Sequence, residues 1–190
     1  MTSSAASSIF RRLDPPIWLL TTKSQEGEAG LIATFVNQGS ISVRHPRVLV
    51  GLAKQHNTSR YVEDARQFVL HLLSEDNVDV VAHFGLKTGK QLNKMTKRLW
   101  ERTPNGLPLL PNSLGWLECH VETTLDTGDR TLYLAAVQHG ELLGEAPLLT
   151  LQSWLELASE DEKREAKRLM ERDQQIDAMA IEKWRERYLL

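Results

Sequence analysis

Residues 114–138, LGWLECHVETTLDTGDRTLYLAAVQ, contain two runs rich in β-branched, aromatic and leucine side chains, joined by Thr127-Gly128-Asp129. Glycine and aspartate between two such runs predict a hairpin turn, so Leu114–Leu125 and Arg130–Gln138 read as paired antiparallel strands. Upstream, four more short runs have the same character: Ile17–Thr22 (IWLLTT), Leu31–Asn37 (LIATFVN), Arg47–Ala53 (RVLVGLA) and Gln67–Leu73 (QFVLHLL). The polar stretch KSQEGEAG after the first reads as a turn. Six strands at this spacing predict a small antiparallel barrel rather than a parallel sheet.

Glycine and proline mark where this region ends. All 11 glycines and all 7 prolines lie at or before Pro147, leaving 148–190 without either. The tail therefore reads as helix. Ser159-Glu-Asp-Glu162 forms a capping box at its start. Ala166, Leu169 and Met170, then Ile176, Ala180, Trp184 and Tyr188, recur at helical spacing. Residues 156–190 carry ten acidic and eight basic side chains. That pattern suits a solvated helix with one face on the barrel or on a partner subunit; a regulatory arm is the alternative. Within the barrel region Thr58 reads as the N-cap of SRYVEDA, and Ser74 as that of EDNVDVVAHF. Residues 85–112 read as a polar surface excursion. The expected division is a flexible head over 1–12, a barrel domain over 13–150 and a helical extension over 151–190.

Composition excludes several classes. The 190 residues carry 23 basic and 25 acidic side chains, a formal net charge of −2, with no basic stretch of the kind a nucleic-acid binder needs. No run of about 18 apolar residues is present, and the first ten residues lack a leader-like apolar core, so a cytoplasmic protein without membrane contact is expected. A single cysteine, Cys119, leaves no internal disulfide and no paired-cysteine zinc site. It lies mid-strand beside Glu118 and His120, whose side chains point to the opposite face, so it reads as packing. The six histidines show no metal spacing, and His71 reads as a core histidine. Gly85-Leu-Lys-Thr-Gly89-Lys90-Gln91 lacks both the spacing and the hydroxyl of a phosphate loop. No G-x-G-x-x-G or G-x-S-x-G is present. Neither a metal site nor a catalytic dyad is expected.

One polar constellation remains. Thr34, Asn37, Gln38, Gly39, Ser40 and Ser42 interleave with Phe35, Val36 and Ile41, and Lys54-Gln55-His56-Asn57-Thr58 leads into a predicted helix. Hydroxyls, amides and helix N–H groups together suit a phosphate monoester, while the apolar residues suit a flat aromatic ligand. The same residues also serve as ordinary turn and cap residues.

Four segments in order, 13–35, 40–76, 83–95 and 107–137, resemble the flavin reductase-like family of FMN-binding split β-barrels. LDPPIWLLTTKSQEGEAGLIATF resembles its opening strand, turn and G-x-x-A-[TS] strand. SISVRHPRVLVGLAKQHNTSRYVEDARQFVLHLLSED resembles its Ser-rich segment, Pro-led strand and loop–helix–strand. HFGLKTGKQLNKM resembles its F-x-x-x-(S/T)-G-x-x-x-(D/N)-K stretch, and LPLLPNSLGWLECHVETTLDTGDRTLYLAAV its late hairpin.

The resemblance implies a split barrel; with the helical tail read above, the expected fold is mainly β (α+β), with short helices and a helical C-terminal extension. The resemblance also implies a homodimer that binds FMN, or less often FAD, and accepts hydride from NADH or NADPH. Thr34, Phe35, Val36 and Asn37 would line the isoalloxazine, with Ser40 and Ile41 continuing that wall. His56, Asn57 and Thr58 would meet the phosphate, Lys94 would neutralise it, and Phe84 would flank the ring. Two departures bear on donor and acceptor: His45-Pro46-Arg47 replaces Asp-Pro-Pro, and Arg130 replaces the histidine of G-D-H. A flavin-binding electron carrier without turnover is the alternative function. A protein that docks a partner through its charged tail is a third.

Overall fold

A computed structural model describes residues 2–86, 94–97 and 99–188. Its main sheet has seven strands: β1 (Trp18–Ser24), β2 (Gly27–Ala33), β3 (Val36–Gln38), β4 (Arg47–Ala53), β5 (Gln67–Leu72), β8 (Gly115–Asp126) and β9 (Arg130–Leu142). Their order is β2-β1-β5-β8-β9-β4-β3, and every pairing is antiparallel. A separate ribbon pairs β6 (Glu101–Arg102) with β7 (Pro108–Leu109).

The β8/β9 hairpin turns where the sequence indicates, with Gly128 at φ +95°. Two register irregularities, at Glu118/Cys119 and at Val121/Thr123, bend this longest pair of strands. The remaining curl follows from connectivity. β2 and β3 occupy opposite edges of the sheet, yet only Thr34 and Phe35 separate them in sequence. So short a link spans little more than one strand spacing, so the sheet must curl until its edges meet. The Gly51 N–H donates to the Phe35 carbonyl at 2.8 Å, which holds the link against β4. The result is the expected antiparallel half-barrel.

The apolar runs are dense because the sheet is covered on both faces. Leu20, Val50, Leu52, Phe68, Leu70, Cys119 and Tyr133 form the inner core with Val62. Leu19 and Leu73 turn the other way, onto Phe84, Leu149 and Trp154. Helix α2 (Asn57–Ala65) contributes Val62 to the inner core, and α3 (Val78–Gly85) contributes Phe84 to the outer one.

Several local expectations need correction. Leu31–Asn37 is two strands, broken at Thr34-Phe35 where the chain crosses between sheet edges. KSQEGEAG is mostly strand, with Lys23 and Ser24 in β1 and Gly27–Gly30 in β2; only Gln25-Glu26 turns. On an outward-facing edge hairpin, polar residues do not signal a loop. The cap of α2 is His56, not Thr58: Thr58 is buried in the first turn, and its hydroxyl donates to the Gly30 carbonyl at 3.1 Å. The expected surface excursion is only partly one: Leu99, Glu101 and Arg102 are exposed, but Thr103, Leu107, Leu109 and Leu110 are buried. Residues 87–93 of the motif that precedes Lys94 lie outside the described residues.

Helices frame the barrel. The Ser/Ala head forms α1 (Thr2–Phe10). A short helix α4 (Leu151–Leu157) opens with a reciprocal Thr150/Ser153 cap. The Ser159/Glu162 capping box then starts α5 (Glu160–Tyr188), as read from the sequence. Helix α5 packs one face against the barrel, where Gly128 makes that approach possible. A Cβ there would lie 2.7 Å from the Cβ of Trp184 and 3.1 Å from the Ala180 carbonyl.

Candidate functional site

The end of β4 delivers the chain into Lys54-Gln55-His56 and the first turn of α2. His56 is extended at the cap, and no side chain accepts a hydrogen bond from the first N–H groups of the helix. The Ser59 N–H donates to the His56 carbonyl at 3.0 Å, which leaves the earlier N–H groups and the positive end of the helix dipole to an anion. They face a cavity of about 390 Å³ lined by Gly30, Leu31, Ile32, Gln55, His56, Asn57, Thr58, Phe84, Gly85 and Lys94 from the barrel side. The Gln55 side-chain amide nitrogen is buried without a partner. An unpartnered donor in a cavity wall suits a polar ligand.

Electrostatics at the cavity follow from burial. The Lys94 amine donates to the Phe84 carbonyl at 2.6 Å, and burial lowers its pKa to about 8. The His56 pKa is also lowered, first by desolvation, then by Lys94, Arg130 and Arg172 against the opposing pull of Asp173. Near neutral pH the histidine is therefore a neutral hydrogen-bonding group rather than a second cation. Phe84 is buried beneath Gly30; a Cβ on that glycine would lie 3.0 Å from the phenyl ring.

Most of the candidate residues named from sequence divide between two hollows. His56, Asn57, Thr58, Phe84 and Lys94 converge on the 390 Å³ cavity. Val36, Asn37, Ser40 and Ile41 do not join them. They line a larger, open apolar hollow of about 970 Å³ together with Trp18, Trp116, Leu117, Val137 and Leu142. Thr34 and Phe35 line neither. Phe35 instead lies beneath the Arg130 guanidinium, 4.5 Å from carbon to ring centre.

Sequence reasoning missed the opposite wall of the smaller cavity, made by Leu169, Arg172, Asp173 and Ile176 of α5. Leu169 and Ile176 belong to the apolar stripes of the tail. Arg172 and Asp173 share their face at helical spacing, a signal hidden by the abundance of charge around it. His71 and Cys119 are structural: both are buried, and the His71 Nδ1 bonds the Leu19 carbonyl at 3.0 Å. Among the described residues no group of His, Cys, Asp or Glu is placed to hold a metal ion, and no helix is long and apolar enough to cross a membrane.

A curled antiparallel half-barrel of seven strands, with short helices and a C-terminal helix, defines the split-barrel class. Residues 10–154 match the flavin reductase like domain, and the chain belongs to that family. A flavin reductase domain protein from Arthrobacter sp. FB24 superposes with a TM-score of 0.70 at 21% identity, over 78% of this chain and 89% of that one. The high molecular weight rubredoxin of Moorella thermoacetica is 24% identical over 136 residues, 70% of this chain and 58% of that protein. A Nostoc sp. relative from the diflavin flavoprotein A series is 29% identical over 132 residues, 70% of this chain. This chain spans 22% of that relative's length.

Proposed function

We propose that this chain binds a flavin, FMN in preference to FAD, and passes to it reducing equivalents from NADH or NADPH. One observation carries the reading: the uncapped start of α2, the Lys94 amine and the orphaned Gln55 amide all face one 390 Å³ cavity. These are groups suited to hold a phosphate monoester beside an apolar wall. His56, Asn57 and Lys94 bind the phosphate, and Phe84 with Leu31 and Ile32 excludes water from the ring side. Thr58 keeps the cradle in shape, because its hydroxyl ties α2 to β2.

A bound flavin supplies the two-electron chemistry, so the chain's work is to bind and orient it. The reading needs no acid–base pair. A second copy of the chain is the expected occupant of the 970 Å³ hollow, where Ile41 and Val43 are each 95% exposed. Sedimentation at micromolar concentration gives a dimer mass under this proposal.

The alternative, a flavin-binding electron carrier without nicotinamide turnover, draws on Arg130. Its guanidinium is committed to Asp129, Asp177 and Phe35. Adding NADH or NADPH to flavin-loaded protein under argon separates the two: rapid bleaching of the flavin bands supports the reductase, and none supports the carrier.

A further inference from the structure

We propose that helix α5, outside the part of the chain that matches the family, is a working wall of the flavin pocket, with Arg172 as the residue that selects a phosphorylated flavin. The inference rests on the flavin reading above and adds a specificity residue to it.

Three observations converge. Leu169, Arg172, Asp173 and Ile176 recur at i, i+3, i+4 and i+7, and this single face of α5 lines the cavity that the α2 start and Lys94 line from the other side. That face is fixed in place. The Arg130 Nη2 bonds the Asp177 Oδ2 at 2.8 Å, one turn beyond Asp173, and the helix rests on Gly128 through Ala180 and Trp184. Arg130 stands where the family carries a histidine, so a departure from the family pattern coincides with the contact that docks α5.

The third observation concerns charge. Lys94 and Arg172 are the basic side chains in the cavity lining among the described residues, and the Lys94 amine is already engaged by the Phe84 carbonyl. A phosphate monoester carries close to two negative charges at neutral pH, more than one partly buried ammonium neutralises. Arg172 bonds only one oxygen of Asp173, through Nε at 2.9 Å and Nη2 at 2.7 Å. Its remaining donors are free to turn to a phosphate in the paired geometry that a guanidinium favours. Asp173 is then a positioning residue, which holds the guanidinium at the cavity when no anion is bound. Fixed charges of both signs meet here, since Asp173 and Asp177 face Lys94, Arg172 and Arg130. Selection therefore comes from placed donors rather than from a net positive field.

Titrating the full-length chain with FMN and with riboflavin, read by quenching of flavin fluorescence, tests the proposal. Wild type binds FMN more tightly than riboflavin. Arg172→Gln weakens FMN about tenfold or more and leaves riboflavin unchanged, while Arg172→Lys recovers part of the loss. Equal FMN affinity in wild type and R172Q overturns the proposal. So does an equal loss for both ligands, which marks a packing role. A wild type that binds neither ligand overturns the flavin reading and this inference with it; one that binds both alike overturns the inference alone. Arg172 is exposed on a surface helix, and circular dichroism of the variants confirms that the fold is intact.

Discussion

The Arg130 guanidinium lies 2.8 Å from the Asp177 carboxylate while stacking on Phe35, so one side chain joins the barrel closure, the β8/β9 hairpin and α5. Burial raises the Asp177 pKa despite the neighbouring Arg130, so the carboxylate depends on this partner for charge compensation. Replacing Arg130 by alanine leaves Asp177 partly buried and unpaired. The expected cost is about 1–2 kcal/mol, a fall in Tm of roughly 2–8 °C, with protease cleavage appearing in α5 first. Arg130→Lys restores the charge but not the stacked fork, so it recovers less than half of the loss.

Gly128 does two jobs at the foot of α5: it adopts φ +95° and leaves room for Trp184. Gly128→Ala therefore meets a left-handed backbone cost of about 1–2 kcal/mol and a clash with the helix. Hydrogen exchange is expected to quicken in 177–188 and in the turn, with β1 and β5 protected as before.

His71 gives a pH signature. It is fully buried, and desolvation lowers its pKa to about 4 from the ordinary 6.5. Between those values the unfolded chain holds a proton that the folded chain refuses, so stability falls as pH drops from 6.5 toward 4. This group alone removes about 2 kcal/mol between pH 7 and pH 5. Urea unfolding at the two pH values measures it, and His71→Leu flattens the acid limb while lowering stability at neutral pH.

Lys94 predicts a limb on the alkaline side. Its folded pKa of about 8 lies below the ordinary lysine value, so the free protein loses that positive charge as pH rises through 8. FMN affinity is expected to decline above pH 8, because binding must then take up a proton. In Lys94→Met the affinity is lower throughout and this decline is absent; isothermal titration at pH 7 and pH 9 gives both numbers.

How much of this was legible in the sequence depends on the range of the cause. β4 is read to the residue because Pro46 and the Lys54-Gln55 loop bound an unbroken run. Similarly, the β8/β9 turn follows from Gly128, and the start of α5 from the Ser159/Glu162 box. The break at Thr34-Phe35 was hidden, because only sheet closure explains it and local composition continues across it. Half of the site was visible as the loop before α2. Its other wall was not, since Arg172 and Asp173 look like any charged pair on a solvated helix until α5 docks across the cavity. The split between the two hollows was likewise invisible: Val36–Ile41 and His56–Thr58 are close in sequence but line different hollows.

The flavin is proposed to lie in the cavity between α2 and α5. An absorbance spectrum tests it most directly, taken on purified protein mixed with FMN and passed through a desalting column. The two flavin bands are expected to elute with the protein and to be lost in Lys94→Met. A colourless eluate from wild type contradicts it.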